Sequence, residues 1–208
     1  CHQNFDWISE SHCVKIDKAV HGIQRRRIML KKFGVESDGG QMEIFFDQVT
    51  IDRSQQVLKA NDFSSGKYVY LNVGAAIEGR RWMVGRFGEL ARLILKTTPW
   101  NIILGGGPNE KKRALTILNQ LNTPRAIEVC SQPILVNAGI ISKAKLMVTA
   151  DTGPMHIGFS MKIPVVALFG TISPVITGPY EIPDHLCRVI TVDPKEGNGV
   201  DEEDFGGF

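Results

Sequence analysis

From residue 68 onward, short apolar runs alternate with segments whose apolar residues recur at helical spacing. This alternation predicts βαβ units built around a parallel sheet. The apolar runs predict strands over 68–73, 101–104, 126–128, 146–149, 165–169 and 189–192. Between them, residues 82–96 set Phe87, Leu90, Ala91 and Ile94 at helical spacing, and residues 109–121 do the same with Ala114, Ile117, Leu118 and Leu121. Each of these helices is expected to lay an apolar stripe on the sheet. A third helix is expected over 133–145, behind a Ser131 cap and with its pattern weakened by Gly139. No internal repeat is apparent.

Residues 1–62 differ in character. The pattern predicts a helix over 16–33, then a turn at Ser37-Asp38-Gly39-Gly40 and a polar stretch over 47–61. This part reads as an interdomain segment or the remnant of a preceding domain, with a boundary near Asp62. A Rossmann-like domain is expected over 63–192. Residues 193–208 are acidic and Gly-rich and predict a flexible tail, in which Asp201-Glu202-Glu203-Asp204 is solvated rather than a cation site.

Composition narrows the class without deciding it. At 208 residues the chain suits one domain with an extension, and 43% hydrophobic and 22% charged residues are those of a soluble globular protein. No apolar run approaches the roughly 20 residues of a membrane span, and Cys1-His2-Gln3-Asn4 lacks the apolar core of a signal peptide, so a cytoplasmic protein is expected. A start on Cys1 leads us to expect a processed product or a fragment. Cys1, Cys13, Cys130 and Cys187 form no Cys-x-x-Cys pair, so reduced, packed thiols are expected rather than zinc or redox chemistry. A net charge of +2 gives no argument for nucleic acid. Arg25-Arg26-Arg27 with Lys31 and Lys32 read as a solvated helix face. The same cluster offers peripheral contact with acidic headgroups at the inner face of the cytoplasmic membrane.

Three loops leave the expected C-terminal edge of the sheet. The most informative is Asp151-Thr152-Gly153-Pro154-Met155-His156, a strand end that turns into a helix start. Asp151 or Thr152 supplies an N-cap oxygen, Gly153 allows close approach and Pro154 suits the first turn. The free N–H groups and dipole of such a helix start attract phosphate. These residues also fit an ordinary cap, with His156 a satisfied core or surface histidine. The loop after the first strand runs from Gly74 through Ala75-Ala76 to Arg80-Arg81-Trp82, where small residues open the backbone and arginine offers a fork of donors to phosphate. The loop after the second strand is Gly105-Gly106-Gly107-Pro108-Asn109-Glu110. Its Glu110 is suited either to accept from a ribose diol or to cap its own helix. It is neither a Gly-x-Gly-x-x-Gly pattern nor a P-loop. Thr171 lies in a further polar loop beyond the strand at 165–169.

Taken together, Gly74 with Arg80-Arg81-Trp82, Gly105 to Glu110, Asp151 to His156, Ala167-Leu168-Phe169-Gly170-Thr171 and Gly178-Pro179-Tyr180 resemble the C-terminal half of glycosyltransferase family 9, the lipopolysaccharide heptosyltransferases. The resemblance is strong over 68–180 and weaker around 25–33. It implies the C-terminal domain of a GT-B enzyme, an α/β Rossmann-like parallel sheet with helices on both faces, binding a nucleotide-sugar donor, usually ADP-heptose. Carried over by position, Arg80 stands where the family has a phosphate-holding lysine and Glu110 where a glutamate contacts ribose. Asp151, Thr152, Gly153, Pro154 and His156 match the segment against the diphosphate and sugar. Gly74, Arg81, Gly107 and Thr171 complete the expected donor site. Ala75-Ala76 depart from hydroxyl residues common in the family, which leaves phosphate contacts there to backbone N–H.

The resemblance implies inverting transfer of a sugar to a lipid-linked or glycan acceptor such as the lipopolysaccharide core. The donor is a substrate; no cofactor or metal is expected, and nucleic acid is not a partner. The family's general base lies on an acceptor-binding domain that these residues do not match, so we expect the donor-binding half, incomplete as an enzyme in this form. The alternative is a standalone nucleotide-sugar-binding module working with a separate acceptor subunit. A nucleotide-sugar epimerase or dehydrogenase fits less well, because the dinucleotide glycine pattern and a Tyr-x-x-x-Lys pair are missing.

Overall fold

Six strands pair in parallel in the order β3-β2-β1-β4-β5-β6: β1 (Tyr68–Asn72), β2 (Asn101–Gly105), β3 (Ala126–Glu128), β4 (Leu146–Ala150), β5 (Val165–Phe169) and β6 (Cys187–Thr191). The structure is a computed structural model that describes residues 16–17, 19–37, 39–170 and 172–191. The expected tail over 193–208, the site residue Thr171, and Cys1 and Cys13 lie outside the described residues.

The period-2 alternation of each strand sorts its side chains between two cores. Tyr68 and Tyr70 of β1 and Met147 of β4 face one side, where they meet Leu58 of α2 (Gln48–Ala60), Ile140 of α5 (Ile134–Ile141) and Phe159 of α6 (Gly153–Ser160). Val69, Leu71 and Val148 face the other, against Phe87 and Ala91 of α3 (Val84–Thr97) and Ala114 and Ile117 of α4 (Lys111–Leu121). Covering both faces is what a parallel sheet requires, and it gives the expected α/β fold with helices on both sides. Two further helices are α1 (Gly22–Lys32) and α7 (Pro174–Thr177). Both buried tyrosines place a hydroxyl on α5: Tyr68 donates to the Ile140 carbonyl at 2.6 Å, and Tyr70 to Asn137 Oδ1 at 3.2 Å. Burial pushes both phenols well above their usual range.

Four expectations need correction. The polar stretch over 47–61 is the helix α2, started by Asp47, whose side chain accepts from the Thr50 N–H at 2.8 Å. Its buried face is Thr50, Ser54 and Leu58, so two of three core-facing positions are small and polar, and no apolar stripe marks the helix in the sequence. Ser54 satisfies its hydroxyl locally, on the Ile51 carbonyl at 2.8 Å. Gly139 gives the reciprocal half of this contact, since a Cβ there would sit 2.7 Å from Ser54 Oγ; the glycine that weakens the α5 pattern is the one that admits α2. Second, α5 runs only over Ile134–Ile141, with Pro133 at its N-cap and no side chain capping it, so Ser131 is not the cap. Third, α1 begins at Gly22 rather than near residue 16, because His21 caps it by accepting from the Ile23 N–H at 3.2 Å. Fourth, β6 starts at Cys187, paired with Val165 of β5.

The α2–α5 contact yields a stability test. Gly139→Ala should destabilise the protein by about 1–3 kcal/mol through overpacking against Ser54. In a Ser54→Gly background, which itself costs roughly 0.5 kcal/mol in helix propensity, the penalty of Gly139→Ala should largely vanish. Urea unfolding of the four proteins measures the coupling.

Candidate functional site

The strand order reverses direction between β1 and β4, and the crevice beyond the C-terminal ends of such neighbouring strands is where open α/β sheets take ligands. A cleft of about 390 Å³ lies there. Its walls come from the ends of β1 (Asn72, Gly74, Arg80), β2 (Gly107, Glu110) and β4 (Asp151, Thr152, Gly153, Pro154). The three loops singled out in the sequence therefore converge. Arg81 and His156 are not among the cleft-lining residues, whereas Asn72, Ala75, Ala76, Ile77, Gly106 and Asn109 are.

The β1 loop is wired by its carbonyls. Arg113 Nε donates to the Val73 carbonyl at 3.2 Å, Asn72 Nδ2 to the Gly74 carbonyl at 3.0 Å, and Arg81 Nε to the Ala75 carbonyl at 2.8 Å. In a trans peptide the N–H points opposite to the C=O it shares a plane with. The N–H groups of Gly74, Ala75 and Ala76 are thus turned away from these donors, and no acceptor among the described residues takes them. Arg81 Nε supports the shape of the loop through the Ala75 carbonyl, and Arg81 is not among the cleft-lining residues.

Glu110 uses one carboxylate oxygen at home. Its Oε2 accepts from the Gly107 N–H at 2.8 Å, closing the 3-10 turn Pro108–Glu110. A Cβ on Gly74 would overlap Glu110 Cγ, and one on Gly106 would come within 2.8 Å of Glu110 Cβ. These glycines make room for a carboxylate of the protein itself. Gly105 does the same for the Tyr70 ring. Gly153 differs, because nothing lies within 4 Å of where its Cβ would stand.

Gly153 opens α6, with Thr152 at the N-cap and no side chain capping the helix. The expected cap oxygen is committed elsewhere. Thr152 Oγ1 accepts from Asn72 Nδ2 at 3.2 Å, lies 3.2 Å from Thr149 Oγ1, and is 3.3 Å from the Ala150 carbonyl, to which it can donate. Pro154 has no N–H, and the Met155 N–H is taken by the Thr152 carbonyl at 3.0 Å. The mouth of α6 is left to its own dipole and to the Gly153 N–H.

Beside this mouth, Arg80 Nη1 stands 3.0 Å from Asp151 Oδ2 in an ion pair whose angles are not those of a hydrogen bond. Nη1 also reaches the Asp151 carbonyl at 3.4 Å. Asp151 is only 4% exposed and Arg80 23%, so the carboxylate is held by one guanidinium, whose Nε is itself buried without a partner. His156 lies one turn into α6, with Nδ1 buried and unpartnered. Burial lowers its pKa below the usual 6.5, with Asp151 pulling upward and His21 and Arg26 pushing down. His21 joins α1 to the loop that follows α7: its Nδ1 accepts from Ile23, so Nε2 carries the proton to the Gly178 carbonyl at 3.1 Å, and its ring stacks on Tyr180 at 4.7 Å. Arg27 donates to Tyr180 and to the Gly40 carbonyl and pairs with Glu181. One of the three arginines expected at a membrane surface is therefore engaged internally. No helix among the described residues is long and apolar enough to cross a membrane. Burial pushes the Cys130 thiol, beneath the β2 and β3 ends, up to about 12, as expected of a packed, unreactive cysteine.

Sequence reasoning missed Asn72 and Asn109. Asn72 closes an otherwise apolar, fully buried strand, and a lone amide at such a strand end was the available signal.

The family model for glycosyltransferase family 9 (heptosyltransferase) matches residues 2–200. Lipopolysaccharide heptosyltransferase 2 of Salmonella typhimurium is 26% identical over 156 residues, covering 71% of this chain and 44% of that protein. Among solved structures, a family 9 glycosyl transferase from Veillonella parvula superposes with a TM-score of 0.74 at 23% identity, over 86% of this chain and 52% of that one. The heptosyltransferase WaaC of E. coli, solved with ADP, gives 0.64 at 20% identity over 88% and 54%. The chain spans about half the length of these relatives, and the structural likeness bears on the fold.

The His156 environment fixes the sign of a pH effect. Because the folded state holds the imidazole neutral, its contribution to stability is complete above pH 6.5 and is lost as pH falls below that value, where the unfolded chain takes up the proton first. Unfolding free energies measured between pH 7.5 and 5 should decline, and His156→Phe should make the decline shallower.

Proposed function

Because the chain belongs to glycosyltransferase family 9, we propose that its cleft binds the diphosphate of a nucleotide-sugar donor for inverting transfer of a heptose from ADP-heptose to a lipopolysaccharide core or related glycan acceptor. The observation that carries this reading is the Arg80–Asp151 pair set beside the uncapped mouth of α6. An acceptor hydroxyl attacks the anomeric carbon, the bond from that carbon to the diphosphate oxygen breaks, and the nucleoside diphosphate departs with the electron pair. The hydroxyl proton passes to a general base, which the family resemblance puts on an acceptor-binding domain. Charge growing on the leaving diphosphate is met by the Arg80 guanidinium, the Gly153 N–H with the α6 dipole, and the outward N–H groups of the β1 loop. Asp151 orients Arg80, and the second oxygen of Glu110 accepts from the ribose. The scheme asks for no cofactor. A related structure solved with ADP supports the choice of base.

Calorimetric titration with ADP, UDP, GDP and CMP tests the reading. ADP should bind most tightly, and a ligand at 100 times its Kd should stabilise the fold by roughly 2.7 kcal/mol. Arg80→Ala removes a charge-assisted contact of about 1.5–3 kcal/mol, so ADP should bind roughly 10- to 150-fold more weakly. Glu110→Gln, which can still accept from Gly107, should weaken ADP several-fold. Wild-type protein that binds none of these nucleotides, or Arg80→Ala that binds ADP as tightly as wild type, overturns the proposal.

A further inference from the structure

Asn72 is 2% exposed, and its side-chain NH2 reaches three oxygens: the Gly74 carbonyl at 3.0 Å, Thr149 Oγ1 at 3.1 Å and Thr152 Oγ1 at 3.2 Å. A carbonyl can only accept, so the Gly74 oxygen fixes the orientation of the amide. The consequence is that Asn72 Oδ1 is buried with no hydrogen-bond partner. A buried acceptor left unsatisfied costs stability, and the fold tolerates it to keep one NH2 on oxygens from two separate turns. Those turns are the two that face the anion. Through Gly74, Asn72 sets the peptide whose Ala75 N–H is directed away from the floor. Through Thr152, with Thr149 as the second support, it turns inward the hydroxyl at the mouth of α6. Released from Asn72, that hydroxyl has no cap to make, since Pro154 lacks an N–H and that of Met155 is occupied. Its remaining contacts are then Thr149 Oγ1 at 3.2 Å and the Ala150 carbonyl at 3.3 Å, with open space in front of Gly153.

We infer that Asn72 is a positioning residue for diphosphate binding, holding the β1 loop and the α6 mouth in one alignment without touching the ligand. This deepens the function proposed above and rests on it. Thr149 is fully buried and its hydroxyl lies 3.0 Å from the Ala150 carbonyl, so it gives the shared amide a fixed anchor at the end of β4. Asn72 Nδ2, Thr149 Oγ1 and Thr152 Oγ1 form one network, and residues in one network act non-additively.

The test is a double-mutant cycle on ADP binding, read by calorimetry in the wild type, Asn72→Ala, Thr152→Val and the double variant. Asn72→Ala should weaken ADP about tenfold, on the scale of a lost hydrogen bond near charge. Thr152→Val should weaken it by a smaller factor, and the double variant should fall within twofold of Asn72→Ala alone. Asn72→Asp removes every donor and adds a negative charge, and should be the weakest binder. In 15N-resolved spectra of the wild type, the Asn72 side-chain NH2 pair should shift as ADP or inorganic pyrophosphate saturates the cleft. This reading does not depend on any variant folding. Single effects that multiply in the double variant, or side-chain resonances unmoved at saturation, overturn the assignment. ADP binding that Arg80→Ala weakens and Asn72→Ala leaves within twofold also overturns it, while leaving the proposed function standing. A wild type that binds no nucleoside diphosphate overturns both.

Discussion

The carbonyl oxygens at the end of β1 are the constraint on which the site depends. A strand buried on both faces spends its side chains on packing, and Tyr68, Val69, Tyr70 and Leu71 are all enclosed. What remains for chemistry is the backbone that emerges beyond the strand, and backbone carries as many acceptors as donors. For that segment to attract an anion, its acceptors have to be occupied. Val73, Gly74 and Ala75 each have their carbonyl taken by a side chain, and those side chains come from α4, from β1 itself and from the foot of α3. The loop is therefore asymmetric: its acceptors are occupied by the protein's own side chains, and its N–H groups point away from them.

The second turn reaches the same result differently. At the start of α6 proline deletes one N–H, a carbonyl absorbs another, and the threonine that ordinarily caps such a helix is drawn away. Positive charge enters through Arg80, and its partner Asp151 is more deeply buried than it is. Removing one member of such a pair exposes the other to a desolvation cost that can exceed the attraction lost. Arg80 is thus bound to the fold through Asp151 as well as facing the cleft.

Much of this was legible in the chain, and the part that was not has a common cause. The strands and the helices α3 and α4 announce themselves through apolar spacing, and the convergence of three loops follows from parallel topology alone. The cleft brings together Gly74, Arg80, Gly107, Glu110 and Asp151 to Pro154, all of them residues singled out in the sequence. Helix α2 escaped because its buried face is made of Thr50 and Ser54, which read as polar. The Arg81 contact with the Ala75 carbonyl was not legible either, because periodicity cannot tell an arginine that faces a ligand from one that faces a carbonyl. Asn72, the last residue of the first strand, draws no attention in the sequence, since its importance lies in three partners between 2 and 80 residues away.

The glycines around Glu110 carry a consequence for how this region can vary. Gly74 belongs to one loop and Glu110 to the next, yet the carboxylate stem fills the volume that any larger residue at position 74 would claim. Neither site can be altered in size by itself: a bulkier residue at 74 calls for a shorter one at 110, and a shorter one at 110 opens a void beside 74 and 106. The two positions are therefore coupled in size, and a chain carrying a side chain at 74 with glutamate still at 110 would have to separate the two loops.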